Sequence, residues 1–99
     1  MRTIWSPLAL ERLQDIVDYV KVESPVSAAE LVQQVFTAVK RLEAFPESGR
    51  RLPEYPRSKY RELIVSTYRV IYVVHAKTVI VLTVRHQRRE LTRKDLSGK

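Results

Sequence analysis

The chain contains no cysteine, and this and other scarcities exclude several classes of function. Without cysteine there is no disulfide, no thiolate nucleophile and no cysteine-based zinc site. The two histidines, His75 and His86, are too few for a convincing metal site, so we expect no metal and no cofactor. No run approaches the ~20 apolar residues of a membrane span, and the first residues lack a signal-peptide apolar region. We therefore expect a cytoplasmic protein without a membrane partner, folded as one domain over residues 1–99.

Positive charge is concentrated in the second half of the chain. Residues 1–49 carry five Lys and Arg against seven Asp and Glu, a net of −2, whereas residues 50–99 carry thirteen against four, a net of +9. A basic half of this size attracts polyanions and speeds their encounter with the protein. The charge alone leaves two kinds of partner open, a nucleic acid or nucleoprotein and an acidic protein.

A first helix is predicted after a short extended segment, Arg2–Trp5. Ser6 has a hydroxyl that can cap the helix, and Pro7 suits the first helical position because its missing N–H would be unpaired there. Apolar side chains then recur at spacings of three and four residues and predict one buried stripe, formed by Leu10, Leu13, Val17 and Val20 with Ala9 and Ile16 beside it.

A second helix is predicted from the segment Ser27–Glu30, which has the pattern of a capping box, to Phe45. Pro46 and Gly49 are expected to end it. Its apolar face is predicted to contain Ala28, Leu31, Val35, Ala38, Leu42 and Phe45, widened by Val32 and Val39. Two amphipathic helices joined by a short turn favour an antiparallel hairpin.

A basic loop at residues 46–59 leads into strands. Three runs dense in Val, Ile, Tyr and Thr predict strands at Tyr60–Val65, Tyr68–His75 and Thr78–His86. Their short connections require an antiparallel meander, and the apolar faces of Val79–Val84 indicate a central strand covered by helices on one side and partly covered on the other. The predicted fold class is therefore α+β: an N-terminal strand, a helix hairpin, a three-stranded meander and a polar tail at 86–99, either a short helix or disordered.

Four phrases of the sequence, in the correct order, resemble the ParE/RelE superfamily of toxins. They run over nearly the whole chain, and they are Ile4–Ala9 with Asp15 and Ile16, Leu42–Arg50, Arg61–Leu63 with Tyr68–Tyr72, and Val84–Arg89. The resemblance implies that the chain is the toxin of a type II toxin–antitoxin system. Such a toxin is made together with a cognate antitoxin that wraps and blocks it. The two proteins form either a simple complex or a larger hetero-oligomer. For that contact we expect an apolar, helical antitoxin segment in a groove, with acidic residues facing the basic half.

Members of this superfamily differ in mechanism. RelE-type members enter the ribosomal A site and cut messenger RNA, whereas ParE-type members inhibit DNA gyrase without being nucleases. RNA cleavage needs a proton acceptor, a proton donor and cations for the phosphate. RelE-type nucleases generally carry a catalytic tyrosine or histidine near the C-terminus, and residues 87–99 contain neither. The sequence therefore favours a non-enzymatic gyrase inhibitor.

Arginines on successive predicted strands are the candidate anion binders, because a guanidinium binds phosphate oxygens in pairs. Side chains of neighbouring strands can converge on one face, so Arg61, Arg69 and Arg85 are expected to form an anion site. With Arg88 and Arg89 of the tail they make up the predicted target- or anion-binding set. Ordinary surface arginines or antitoxin-pairing residues are the alternative interpretation.

The alternative function is a ribosome-dependent mRNA endonuclease that would use Arg61, Arg69, Arg85, His86 and Tyr68. His86 is the best acid–base candidate because its ordinary pKa lies near neutrality. Strand alternation predicts that it shares a face with Ile80, Leu82 and Val84. A second alternative is a non-toxic basic module that binds a nucleic acid or a protein partner.

Overall fold

Two helices lie on one face of a five-stranded sheet in the computed structural model, which describes residues 1–97. The elements in chain order are β1 (Arg2–Trp5), α1 (Pro7–Glu23), α2 (Pro25–Arg41), β2 (Arg50–Arg51), β3 (Arg61–Val65), β4 (Tyr68–His75), β5 (Thr78–His86) and a 3-10 helix (Arg93–Leu96). The strands lie in the order β1-β5-β4-β3-β2, and β1 pairs with β5 in parallel while the other pairs are antiparallel. The predicted α+β class is confirmed. The 3-10 helix is one of the two forms predicted for the tail, whose last positions, 98–99, lie outside the described residues.

The start of α1 confirms the prediction, but the start of α2 does not. The Ser6 hydroxyl accepts the Ala9 N–H at 3.0 Å, with Pro7 in the first helical position. The predicted capping box at Ser27–Glu30 is wrong, because α2 begins one turn earlier. Ser24 caps it by accepting the Ser27 N–H at 3.1 Å, and Pro25 follows. The same Ser-Pro device therefore opens both helices.

The predicted end of α2 at Phe45 is also wrong. The helix ends at Arg41, and Leu42, its C-cap, is completely buried against Tyr72 and Val79 of the sheet. Phe45 is 61% exposed, so it does not belong to the buried face. The residue before a proline is disfavoured in the helical region, and Pro46 follows Phe45 directly.

The three predicted C-terminal strands form the meander, and the bounds of β4 and β5 agree with the prediction. β3 begins at Arg61, one residue later than predicted. The loop at 46–59 contains the unpredicted β2, whose two residues pair with Arg61 and Glu62. So short a segment carries no alternation that would reveal it.

A β-bulge in β5 changes which residues share a face. Ile71 pairs with Thr83 and Tyr72 with Val81, so Leu82 is an extra residue. Val81 and Val84 consequently both contact the helices, whereas Leu82 lies in a cluster on the opposite face. The predicted grouping of His86 and Val84 with Ile80 and Leu82 is therefore wrong, because an inserted residue inverts the alternation beyond it.

Both faces of the sheet are covered, as the apolar pattern of β5 predicted. The helix-side cluster consists of Ala9, Leu13, Leu31, Val35, Val39, Val65, Val70, Val81 and Val84. On the opposite face, Val73, Ile80 and Leu82 pack under Tyr60 and Leu96. The 3-10 helix that contains Leu96 thus closes the second face.

The turn between β4 and β5 contains two residues in a conformation that favours glycine. Ala76 has a φ of 48° and Lys77 a φ of 63°, which is the two-residue hairpin turn that prefers Asn-Gly. The double substitution Ala76→Asn and Lys77→Gly should raise the free energy of unfolding by about 1–2 kcal/mol. Urea unfolding at equilibrium measures this gain. An unchanged or lowered midpoint would contradict the assigned backbone strain.

Candidate functional site

The predicted arginines do not converge on one face of the sheet. Arg61 pairs with Tyr72, whose side chain packs in a cluster with Leu42 on the helix side, whereas Arg69 pairs with Ile64 and Arg85. Along β4, Tyr72 and Arg69 are separated by an odd number of positions, so they point to opposite faces. Arg61 therefore lies apart from Arg69 and Arg85, and the prediction of one shared face is wrong for it.

Arg69 is engaged by two carboxylates inside the protein. Its Nε atom donates to Glu62 at 2.5 Å, and its two Nη atoms donate to the Glu54 carboxylate at 2.7 Å each. The other Glu62 oxygen accepts from Arg50 at 2.6 Å. Arg69 and Glu62 are both buried, and hydrogen bonding from Arg69 lowers the pKa of Glu54. Arg69 thus joins the long loop to the sheet, and its charge is offset.

The outer edge of β5 is open beyond the end of β1. β1 reaches Val81, after which the Ser6 N–H donates to the Val81 carbonyl at 2.9 Å and the Ser6 hydroxyl to the Leu82 carbonyl at 2.8 Å. Past Leu82, in the part of the chain that the structure describes, this edge has no strand neighbour. A cavity of about 550 Å³ lies there between β5 and α1. We call it the edge cleft, and its polar and aromatic lining consists of Arg12, Asp15, Tyr19, Arg85, His86 and Arg89.

Asp95 lies beneath the edge cleft and fixes the tail to it. Its completely buried carboxylate accepts hydrogen bonds from the Thr83 hydroxyl at 3.2 Å and from the Thr92 N–H at 2.8 Å and hydroxyl at 3.1 Å. The same carboxylate lies 3.3 Å from Arg12 Nη2 and 3.8 Å from Arg85 Nε. Within residues 1–97 the buried Arg85 Nε has no hydrogen-bond partner. Asp95 therefore positions both guanidinium groups but leaves the Arg85 Nε atom without a hydrogen-bond partner among the described residues.

His86 contacts Tyr68 at the end of the sheet. The two rings meet edge to face with centroids 5.6 Å apart, and the His86 Nδ1 atom accepts the Arg88 N–H at 3.1 Å. That contact leaves Nε2 as the nitrogen that carries the proton in the neutral ring. Tyr68 itself lines a separate hollow between the helices and the β3–β4 turn.

The edge cleft brings together Arg85 and Arg89 of the predicted anion-binding set with His86, the acid–base candidate. It adds Arg12 and Tyr19, which the sequence analysis missed because a polar face of α1 is ordinarily a solvated face. The chain offered no local signal for them, since Arg85, His86 and Arg89, which they meet in the cleft, lie far away in the sequence.

A second basic cavity, of about 690 Å³, lies at the opposite end of β4, beside the long loop. We call it the loop groove. Phe45, Pro46 and Val74 supply its apolar surface, and Arg51, Arg57 and Arg61 are among the residues that line it.

Two hydrogen bonds of the Tyr72 hydroxyl hold the loop beside the groove against the sheet. The hydroxyl donates to the Pro46 carbonyl at 2.7 Å and accepts the Gly49 N–H at 3.0 Å, and burial raises the pKa of Tyr72. A Cβ atom at Gly49 would lie 2.6 Å from that hydroxyl and 2.7 Å from the Glu62 carbonyl. Only glycine fits at this point of close approach.

Neither a metal-binding cluster nor a membrane-spanning helix is found within residues 1–97. The described part of the chain contains no group of three or more His, Cys, Asp or Glu side chains placed to hold a metal ion. Among the described helices, none is long and apolar enough to cross a membrane.

Comparisons with known proteins agree on one family. Residues 3–91 match the family described as the ParE toxin of the type II toxin–antitoxin system parDE. A protein of Sinorhizobium fredii that carries the name "Putative toxin Y4kP" is 37% identical over 87 residues, which cover 86% of each chain. A solved structure described as the chromosomal ParDE TA system from P. aeruginosa is similar with a TM-score of 0.71 and 26% identity, covering 87% of this chain and 95% of that one.

Proposed function

Because this chain belongs to the ParE toxin family of type II toxin–antitoxin systems, we propose that it arrests bacterial growth by inhibiting DNA gyrase. In this proposal a cognate antitoxin, the partner that the family implies, neutralises it in the cytoplasm. The protein acts by binding and does not cut RNA.

The observation that carries the proposal is the separation of the residues that a nuclease would need. Arg69 is neutralised by Glu54 and Glu62, and Arg61 lies at the loop groove, away from the edge cleft. Of the candidates Arg61, Arg69 and Arg85, only Arg85 lines the same cavity as His86 in the described part of the chain. A phosphate held for cleavage needs several cations beside the acid and the base, so this arrangement supports binding better than cleavage.

The edge cleft has the composition of a protein-binding surface. Tyr19 is 74% exposed beside Arg12, Arg85 and Arg89. Tyrosine and arginine are the side chains, along with tryptophan, that most often supply the binding energy of interfaces. We therefore assign gyrase binding to the edge cleft, whose lining residues do not include Arg88.

A ribosome-dependent mRNA endonuclease is the second candidate function. One observation favours it: His86, the acid–base candidate, shares the edge cleft with Arg85 and Arg89 and also contacts Tyr68. In that case the ribosome and messenger RNA would supply the missing parts of the site.

Induced expression in a bacterial host separates the two candidates. Gyrase inhibition predicts growth arrest with relaxed plasmid topoisomers and intact transcripts. Normal supercoiling with fragmented transcripts, and loss of the fragments in Arg85→Ala or His86→Ala, would favour the endonuclease. Growth without arrest would contradict both and support a non-toxic binding module.

A further inference from the structure

The loop groove holds arginines that are positioned without being neutralised. Arg51 Nη1 donates to the Ser58 carbonyl at 2.7 Å, and Arg61 Nη1 donates to the Gly49 carbonyl at 2.8 Å. Among residues 1–97, neither these two guanidinium groups nor that of Arg57 lies within salt-bridge distance of a carboxylate. Carbonyl oxygens fix a guanidinium in place but leave its full charge and several N–H groups free.

Two neighbouring arginines, in contrast, are paired with carboxylates. Arg50 precedes Arg51 in β2, yet it donates to the buried carboxylate of Glu62 at 2.6 Å. Arg69 is offset by Glu62 and Glu54 in the same way. Carboxylates are therefore present close by on the opposite face of the sheet, whereas Glu47 is the only acidic residue among the described residues that line the loop groove.

The surface between these arginines is apolar. Phe45 is 61% exposed, and it lines the groove together with Pro46 and Val74. A concave apolar surface with convergent charged groups is the usual form of a binding site, and about 690 Å³ is room for a few side chains. A nucleic-acid duplex would rest on the arginines and leave the apolar surface uncovered, whereas a peptide can insert one apolar side chain and pair its carboxylates with the arginines.

We propose that the loop groove binds an acidic peptide segment of the antitoxin, one that inserts a large apolar side chain against Phe45 between carboxylates that pair with Arg51, Arg57 and Arg61. This inference rests on the proposed function in one respect, since it takes the antitoxin as the source of the segment. The groove lies where β4 ends and the edge cleft lies where β5 ends, and these antiparallel strands end at opposite ends of the sheet. The groove is therefore an attachment point for the antitoxin that is separate from the edge cleft.

A fluorescein-labelled probe peptide, with one phenylalanine flanked by two glutamates on each side, tests the groove by fluorescence anisotropy on the purified full chain. We expect saturable binding that is weakened at least about tenfold by Arg57→Glu and by Phe45→Ser. Lys21→Glu makes the same charge change at the exposed end of α1 and should alter the dissociation constant less than about twofold. The probe with serine in place of phenylalanine should bind at least about tenfold more weakly.

Three results would overturn the inference. The first is no saturable binding of the probe, and the second is equal weakening by Lys21→Glu and Arg57→Glu, which would indicate general charge attraction. The third is tighter binding of a single-stranded oligonucleotide of equal net charge than of the probe, if that binding also depends on Arg57. This result would make the groove a nucleic-acid site. The titration involves no gyrase, so a failure of gyrase inhibition would leave its result intact. Matching unfolding midpoints for the variants show that they are folded.

Discussion

Replacing Arg69 with methionine should lower the free energy of unfolding by about 3–5 kcal/mol. The substitution leaves the Glu62 carboxylate, which is completely buried, with Arg50 as its remaining ion-pair partner, and the Arg50 side chain is 63% exposed. It also releases Glu54, and with it the contact that holds the loop against the sheet. Urea unfolding followed by the fluorescence of Trp5, the single tryptophan, measures the loss.

Two matched variants test the reason for that loss. Arg50→Met removes the exposed partner of the same carboxylate and should cost about 1 kcal/mol or less. The double variant Arg69→Met and Glu62→Leu removes the buried charge with its partner and should recover much of the loss. Equal losses in Arg50→Met and Arg69→Met would contradict a penalty that arises from stranding a buried carboxylate.

The loss should also depend on pH. Hydrogen bonding from Arg69 holds the pKa of Glu54 below its ordinary value of 4.5. A carboxylate with a lowered folded-state pKa contributes stability that is fully present above the unfolded-state value and is lost as the pH falls through the lowered one. The difference in the free energy of unfolding between the wild type and Arg69→Met should therefore become smaller below pH 4.5.

Replacing Asp95 with alanine should detach the 3-10 helix and cost about 2–4 kcal/mol. The variant loses the hydrogen bonds from Thr83 and Thr92 and the shared contact with Arg12 and Arg85. Without this anchor, Leu96 leaves the apolar cluster that it helps to cover on the second face of the sheet.

Hydrogen exchange of the β5 amides and limited trypsin cleavage after Arg93 report this detachment. The exchange rate and the cleavage rate should both rise in Asp95→Ala. They should stay at the wild-type level in Glu90→Ala, which removes an exposed carboxylate from the same tail. Unchanged protection of β5 and an unchanged unfolding midpoint in Asp95→Ala would show that the tail is held by other contacts.

Local patterns predicted most of the fold because the signals that they carry are themselves local. The alternation in Tyr68–His75 and Thr78–His86 and the two-residue connection between them determine a hairpin whatever the rest of the chain does. The start of α2 was missed because Ser24 and Ser27 both offer a capping hydroxyl within one turn. The bulge at Leu82 was invisible because both faces of Val79–Val84 are apolar, so a one-residue shift leaves the pattern intact.

The candidate site was predicted less completely because its contacts join distant parts of the chain. Arg69 and Arg85 are both arginines on predicted strands, so the sequence does not distinguish them. Only the fold shows that Glu54 and Glu62 pair with Arg69. Asp95 reaches Arg12 from the far end of the sequence, which no spacing rule anticipates. Sequence reasoning identified the cationic side chains, whereas their availability depends on which carboxylates the fold places beside them.

Supercoiling by purified gyrase, measured over a broad range of toxin concentration, shows whether this protein inhibits the enzyme. If the edge cleft binds gyrase, inhibition by the wild type should be weakened at least about tenfold in Arg85→Ala and in Tyr19→Ala, and less than about twofold in Lys21→Ala, whose side chain lies outside the edge cleft. Supercoiling that the wild type leaves unaffected at every concentration would contradict the proposed gyrase inhibition.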